Sequence, residues 1–387
     1  VLRTYKYRLY PNKHQGQTLD HLLETHRTVY NDALHERREA WMRCGISVSY
    51  GTQAAQIKDV RAFDPDGALC NYSSLQHTMR RLDKAFRAFF RRVKAGQKAG
   101  YPRFRGKSRF DSFEYTYGDG CKLRESDGRI RLYVQNVGEL RIKYHRPIPD
   151  DAKIKHLVIK RRLDKWYACF QMEMPEPESA PHGGPAVGVD VGLLHLLALS
   201  DGTFVENPRW LRESQRTLRV AQRRLARRKK GSQRRRRAAR QVANLHDKIA
   251  NQRCDFWHKT TRELVNAYSL IAIEDLPLGF MTHNHHLALS AHDASLGMFR
   301  QMIEYKAEEA GTRIVAVNPN GTSQVCSKCG SVVRKALSVR LHLCPECGIV
   351  IDRDVNAAMN VLQRARTEPL GHKVDGCVMP ALRSFPL

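Results

Sequence analysis

Two short cysteine pairs, Cys326-Ser-Lys-Cys329 and Cys344-Pro-Glu-Cys347, constrain this chain more tightly than any other feature. In each CxxC the backbone must turn so that two thiolates face one ion, and the glycine after each pair, Gly330 and Gly348, tolerates that geometry. Fourteen residues separate the pairs, one short of the commonest ribbon spacing but within its tolerance. Four soft sulfurs with no open position indicate one structural Zn²⁺, so Cys326, Cys329, Cys344 and Cys347 are predicted to form a zinc ribbon. The remaining cysteines (44, 70, 121, 169, 254 and 377) show no repeated spacing. That is metal-site usage in a reducing compartment, not a secreted disulfide framework.

Asp354, in DRDVNAAMN, follows seven residues after Cys347 and is one of three acids set in apolar surroundings; the others are Asp190 in GVDVG and Glu274 in IAIEDL. Singly, each has a plain structural reading as a buried hydrogen-bonding group or a cap. Jointly, acids from two strands and a helix start would repel one another unless divalent ions lay between them. Hydrolysis of a phosphodiester by two metals needs such convergence, with two ions roughly 3.5–4 Å apart. One ion would orient and deprotonate the attacking water and the other would stabilise the leaving 3′ oxygen. Hard oxygen ligands fit Mg²⁺ or Mn²⁺. Asp352, Asp275 and Asn356 are neighbours that could assist, with helix capping as their default role.

Lys and Arg number 66 against 39 Asp and Glu, a formal charge of +27. A polyanion is the natural partner for such a chain, whereas an enzyme of small metabolites has little use for that charge. No apolar run approaches the roughly 18–20 residues of a membrane span, and a cytoplasmic location is expected.

Periodicity sets the expected elements. Tyr5, Tyr7 and Leu9 alternate with Lys6 and Arg8 until Pro11 and Asn12, which reads as a strand. Helical spacing follows over Leu19–Leu34 and again over Leu75–Val93, with a loop between them at Asp64-Pro65-Asp66-Gly67. Short alternating runs from Leu132 to Phe170 imply a small β-barrel or sheet that the first strand joins. After a Pro- and Gly-containing linker, 176–185, come three consecutive strands, a basic helical stretch over 209–268 broken at Gly231-Ser232, a buried strand at 269–275, a helix over 293–310 beginning at an Asp or Ser cap, a strand at 313–317 and a last helix from Asp354. That is the order of an α/β, RNase H-like domain.

Ala226–Arg240 is the densest basic run, with almost no acid intervening, and it favours phosphate contact through Arg227, Arg228, Lys229, Lys230, Arg234, Arg235, Arg236 and Arg237. Tyr101–Tyr115 interleaves aromatics with Arg103, Arg105 and Lys107, a mixture that stacks bases and neutralises phosphates or else buries one face of a strand. On the helix from Tyr72, the polar face carries Gln76, His77, Arg80 and Arg81, and Gln76 is a candidate reader of base edges. His283, His285, His286 and His292 are expected in a mobile loop over the site after Glu274, without the pattern of a second metal centre.

In LRTYKYRLYPNKHQ, YPRFRGK, GVDVG, ARRKKGS, IAIEDL, ALSAHDASLGMFRQMIEYKAEEAG, CSKCG, CPECG and DRDVNAAMNVL, in this order, the chain closely resembles the TnpB proteins of insertion sequences, relatives of compact type V CRISPR effectors. The resemblance spans nearly all of 1–366. It implies a wedge-type β-barrel domain (1–13 and 101–180) with a helical recognition insertion (14–100), a RuvC nuclease domain (186–320 and 349–366) and a zinc ribbon (321–348); the tail, 367–387, shows no feature of the family and is expected to be flexible. It also implies a guide RNA, a double-stranded DNA target beside a short recognised motif, and Asp190, Glu274 and Asp354 as catalytic acids, with no departure at those positions. A monomer is expected. Two other readings stay open: a guide-dependent DNA-binding regulator that no longer cuts, which should lack one of the acids, and an unguided structure-selective nuclease of the RNase H superfamily.

Overall fold

A computed structural model describes residues 1–126, 128–175, 183–276, 279–336 and 338–367. The chain forms two compact units that divide at residues 176/177. All of the expected tail but Thr367, with Cys377, and most of the expected linker lie outside the described residues.

The first unit runs β1 (Leu2–Tyr10), α1 (Lys13–Cys44), α2 (Tyr50–Phe63), α3 (Pro65–Leu69), α4 (Tyr72–Lys94), β2 (Ser112–Thr116), β3 (Cys121–Ser126), β4 (Arg129–Val134), β5 (Gly138–Ile142), β6 (Lys153–Arg162) and β7 (Lys165–Glu173). Its strands make one antiparallel sheet in the order β2-β6-β7-β1-β5-β4-β3. β1 lies in the middle, paired with β7 from Leu2↔Glu173 to Leu9↔Trp166 and with β5 at Leu9↔Ile142. Tyr5, Tyr7 and Leu9 are buried, as their alternation requires. The end strands β2 and β3 do not pair with each other among the described residues, so the expected barrel is a sheet with two edges.

The residues that stop β1 also start α1. Asn12 accepts from the Gln15 backbone N–H, and Gln15 returns the bond to the Asn12 N–H, a closed capping box. Leu19, Leu22, Tyr30 and Leu34 of α1 and Leu75, Met79, Leu82 and Phe86 of α4 enter the same core as the sheet, each large side chain contributing about 1.5–3 kcal/mol. The stripe on α4 ends at Phe86, earlier than its periodicity suggests, and Val93 is exposed. The stretch expected to be a loop at 64–67 is instead a helix start: Asp64 accepts from the Asp66 and Gly67 N–H groups and Pro65 takes the first helical position, where a missing N–H costs nothing.

The second unit runs β8 (Ala186–Val191), β9 (His195–Leu199), β10 (Phe204–Glu206), α5 (Trp210–Ala226), α6 (Gln233–Ala267), β11 (Leu270–Glu274), α7 (Gly279–His283), α8 (His285–Ala294), α9 (Leu296–Ala310), β12 (Arg313–Val317), β13 (Leu341–Leu343), β14 (Val350–Asp352) and α10 (Arg353–Thr367). Its main sheet is ordered β10-β9-β8-β11-β12, antiparallel across β10, β9 and β8 and parallel across β8, β11 and β12. Alternation splits the two faces. Val187, Val189, Ile271 and Ile273 pack with Trp257, Leu264, Val265, Phe299 and Ile303 from α6 and α9. On the other face, Ala272 and Val317 pack with Val361 and Ala365 of α10.

The helix expected over 293–310 is divided at Ser295, whose backbone is left-handed. Asp293 does not cap it. The buried carboxylate instead accepts from the Leu211 and Arg212 N–H groups at the start of α5, which has no cap of its own, and from Arg253 at 2.8 Å.

At Gly188 the backbone of α10 comes close against the sheet: a Cβ there would stand 2.0 Å from the Ala358 carbonyl oxygen and 2.8 Å from the Leu362 nitrogen. Both obstacles are backbone, so Gly188→Ala should push α10 outward and destabilise the fold by about 3 kcal/mol, the upper end of overpacking costs, as read by denaturant unfolding.

Candidate active site

Asp190 lies on β8, and its neighbour Val189 pairs with Ile273 of β11, so Asp190 and Glu274 stand level on adjacent parallel strands. Both belong to the face that α10 covers. Asp354 arrives from the first turn of α10, which is started by Asp352: that carboxylate accepts from the Asp354 N–H at 2.7 Å and from the Val355 N–H at 3.4 Å. Asp352 thus has its default capping role, while Asp275 pairs with Arg300 of α9 at 2.9 Å.

Asp190 feels both of the other acids. Burial pushes the Asp190 carboxyl well above its ordinary range, and the charges of Glu274 and then Asp354 push it further, against a smaller pull from Arg340 and Arg353. Burial also raises Glu274, opposed by a 2.6 Å hydrogen bond from the Thr322 hydroxyl and by Arg364. Asp354 pairs with Arg340. Asp190 and Glu274 stay raised in spite of Arg340, Arg353 and Arg364, so the arginines only partly offset the buried carboxylates. Thr322 and Arg340 sit outside every motif, and no sequence pattern marks them.

The four cysteine sulfurs all lie within 4.8 Å of one another. Cys326 Sγ is 3.6 Å from Cys347 Sγ and Cys329 Sγ is 3.5 Å from Cys344 Sγ. Disulfide sulfurs would be about 2.05 Å apart, whereas a tetrahedron of bonds near 2.3 Å has edges of about 3.8 Å. The donor set and its spacing fit zinc. This knuckle is tied to α10 by side chains at helical spacing. Buried Asn356 accepts from the Ser327 N–H and donates to the Val325 carbonyl, Asn360 donates to the carbonyls of Thr322 and Val325, and Gln363 donates to that of Ser327. Buried Arg353 adds bonds to the Ala336 carbonyl and the Ser323 hydroxyl. The DRDVNAAMN segment therefore carries an acid on one side and a clamp for the cysteine turn on the other.

The basic run divides by role. Arg227, Arg228, Lys229 and Lys230 are exposed in the α5–α6 turn, and Arg234, Arg236 and Arg237 are exposed in the first turns of α6. Arg235 is different: its guanidinium donates to the carbonyls of Leu225 and Arg228 and closes that turn. In the aromatic segment, Phe110, Phe113 and Tyr115 are core residues, while Tyr101 and Phe104 stay about half exposed beside exposed Arg103, Arg105 and Lys107. Lys107 pairs with Glu24, and the Arg105 backbone is bonded to Asn31. On α4, Gln76 is half-buried, but His77 is buried against β2 and Arg80 bonds the Tyr50 hydroxyl, so less of that face is open than expected. His283, His285, His286 and His292 lie on the short helices α7 and α8 rather than in a loop, and they do not group as metal ligands.

The segments that carry these residues match known families. The OrfB_IS605 model, described as "Probable transposase", matches residues 169–285, the model "Cas12f1-like, TNB domain" matches 297–361, and a "Helix-turn-helix domain" model of the same group matches 1–45. A Streptomyces pristinaespiralis protein named as an RNA-guided DNA endonuclease is 36% identical, over 94% of this chain and 89% of its own length. The chain belongs to the TnpB family. The Escherichia coli K12 relative named as the RNA-guided DNA endonuclease InsQ is 28% identical over 97% of this TnpB chain and 94% of its own. Among solved structures, a Cas12f1–sgRNA–target DNA complex aligns with a TM-score of 0.61 at 13% identity, covering 93% of this chain and 98% of that one. The mini-RNA-guided endonuclease CRISPR-Cas_phi3 aligns at 0.52 and 9% identity, over 96% and 93%. At such identities these are likenesses of fold. In this TnpB chain the segment of the helix-turn-helix model is β1 followed by one 32-residue helix, α1. Asp190 and Glu274 fall in the first model and the cysteines with Asp354 in the second, so the site is assembled from both.

Proposed function

We propose that this chain is an RNA-guided DNA endonuclease that holds a guide RNA, recognises a short motif beside its target and cleaves double-stranded DNA at a RuvC-type, RNase H-like site. The observation that carries this reading is the meeting of Asp190, Glu274 and Asp354 on one face of a sheet ordered β10-β9-β8-β11-β12. These three would hold divalent ions, Mg²⁺ or Mn²⁺, which when bound supply Lewis acidity at the phosphate and a more acidic water. Among the described residues, the ligand oxygens of these three do not all lie within 4.8 Å of one another. The chain's own part is placement. Thr322 orients the Glu274 carboxylate, Asp352 fixes the turn that presents Asp354, and the zinc-bound knuckle holds α10 through Asn356 and Asn360.

On this reading 186–320 and 349–366 form the nuclease domain around the ribbon at 321–348, and 1–13 with 101–180 form a wedge-type domain bearing the recognition helices of 14–100. The exposed arginines of the α5–α6 turn and of the first turns of α6 would neutralise phosphates. Replacing Arg234, Arg236 and Arg237 with Gln should lower the slope of log K against log salt by roughly 2–3, and an unchanged slope would mean that they face only solvent. Arg235 is left intact in that variant because it closes the turn.

Sequencing the RNA that copurifies with the full chain tests the guided reading. A discrete RNA species whose variable end directs cleavage to matching DNA is the expected result. Cleavage indifferent to that RNA would favour the unguided nuclease.

A further inference from the structure

Apart from the four cysteines, one set of side chains among the described residues brings its ligand atoms within 4.8 Å: His77, Glu114 and His156. They come from three elements of the first unit. His77 is on α4, Glu114 on β2 and His156 on β6, where it pairs directly with Thr116. Glu114 and Thr116 are two apart on β2 and so share a face with His156.

The distances are awkward for hydrogen bonds and suitable for ligation. His77 Nδ1 lies 3.5 Å and His156 Nδ1 3.4 Å from the same Glu114 oxygen, both beyond the usual N–H···O range of 2.7–3.2 Å. A tetrahedral ion bound at about 2.0–2.1 Å spaces its ligand atoms about 3.3–3.4 Å apart. His156 Nδ1 is buried with no hydrogen-bond partner, a costly state for an imidazole nitrogen. His77 Nε2 is 2.9 Å from the Thr116 hydroxyl; donation there leaves the Nδ1 lone pair facing the carboxylate. An outer partner on the second ring nitrogen is the arrangement that fixes a metal-binding histidine. Two imidazole nitrogens and a carboxylate oxygen gathered this closely have room for a cation between them.

We propose that His77, Glu114 and His156 bind a transition-metal ion, with Zn²⁺ the best fit, in addition to the ribbon ion. Two imidazoles and one carboxylate suit zinc, whereas Mg²⁺ and Ca²⁺ prefer all-oxygen sets. Arg80 and Lys84, close enough on α4 to act on His77, further disfavour an ion held by charge alone. The Glu114 and His156 side chains are 33% and 36% exposed, which leaves a side open for water as the fourth ligand. Bound there, the ion would staple α4 to the β2–β6 edge and set the pose of the helix that carries Gln76 and Arg80.

Zinc is counted by plasma mass spectrometry on the full chain, purified from zinc-supplemented cells and dialysed against metal-free buffer. Wild type should carry one equivalent more than His156→Gln and one more than Glu114→Gln, and the same difference should persist in a Cys326→Ser background. Co²⁺ added to Cys326→Ser should give the weak visible bands of nitrogen and oxygen ligands, and these should vanish when His156→Gln is added. Equal zinc in wild type and both single variants, with unaltered circular dichroism, would overturn the proposal. A failure of the ribbon assignment would instead appear as unchanged zinc on Cys326→Ser alone.

Discussion

Asp190→Asn should reduce cleavage of guide-matched DNA by at least about a thousandfold, about 4 kcal/mol in the barrier, while guide and target binding change by no more than about twofold. Asn keeps the shape of the side chain and removes the charge that the divalent ions require, so positioning survives and chemistry does not. Plasmid cleavage and filter binding on the same preparation separate the two effects. A variant that cuts at the wild-type rate would mean that β8 does not carry the acid. The same substitution has a second, opposite consequence. Burial and the neighbouring carboxylates hold Asp190 above its unfolded value, so without divalent ions its contribution to stability is complete only below the ordinary Asp pKa and is lost as pH rises through the raised one. Metal-free Asp190→Asn should therefore melt higher than wild type at neutral pH, with the gap closing toward pH 4.

Cys326→Ser should release the ribbon zinc and destabilise the second unit by about 3 kcal/mol, a fall in Tm of roughly 6–12 °C. The path to activity is short. Without the ion, the Val325–Ser327 turn no longer holds the bonds of Asn356, Asn360 and Gln363, and α10 loses the support that fixes Asp354. Cleavage should fall by more than target binding does. Zinc content and scanning calorimetry check this, and unchanged values in both would remove the knuckle from the account.

Much of this was legible in the chain because its signals are local and periodic. The alternation of β1, the apolar faces of α1 and α4 and the strand-rich order of the second unit follow from side-chain spacing alone. Each acid was legible because it interrupts an apolar run or follows a motif. What escaped is what depends on distant partners. Asp293 serves the start of α5, 81 and 82 residues away, rather than its own helix, because the N–H groups of a helix end without a cap need an acceptor. Arg235 directs its donors to a turn rather than to phosphate because the carbonyls of Leu225 and Arg228 lie within its reach. The helix at Pro65 was missed because Asp-Pro can open a turn or a helix, and tertiary packing decides. His77, Glu114 and His156 share no motif, and only the pairing of β2 with β6 beneath α4 brings them together.

Anomalous scattering from Mn²⁺ in crystals of the chain bound to its guide RNA and an uncleavable DNA target shows whether Asp190, Glu274 and Asp354 jointly hold catalytic divalent ions. Manganese peaks in contact with all three carboxylates and the DNA phosphate are the predicted result. Peaks confined to other acids, with these three side chains making only protein contacts, would contradict it.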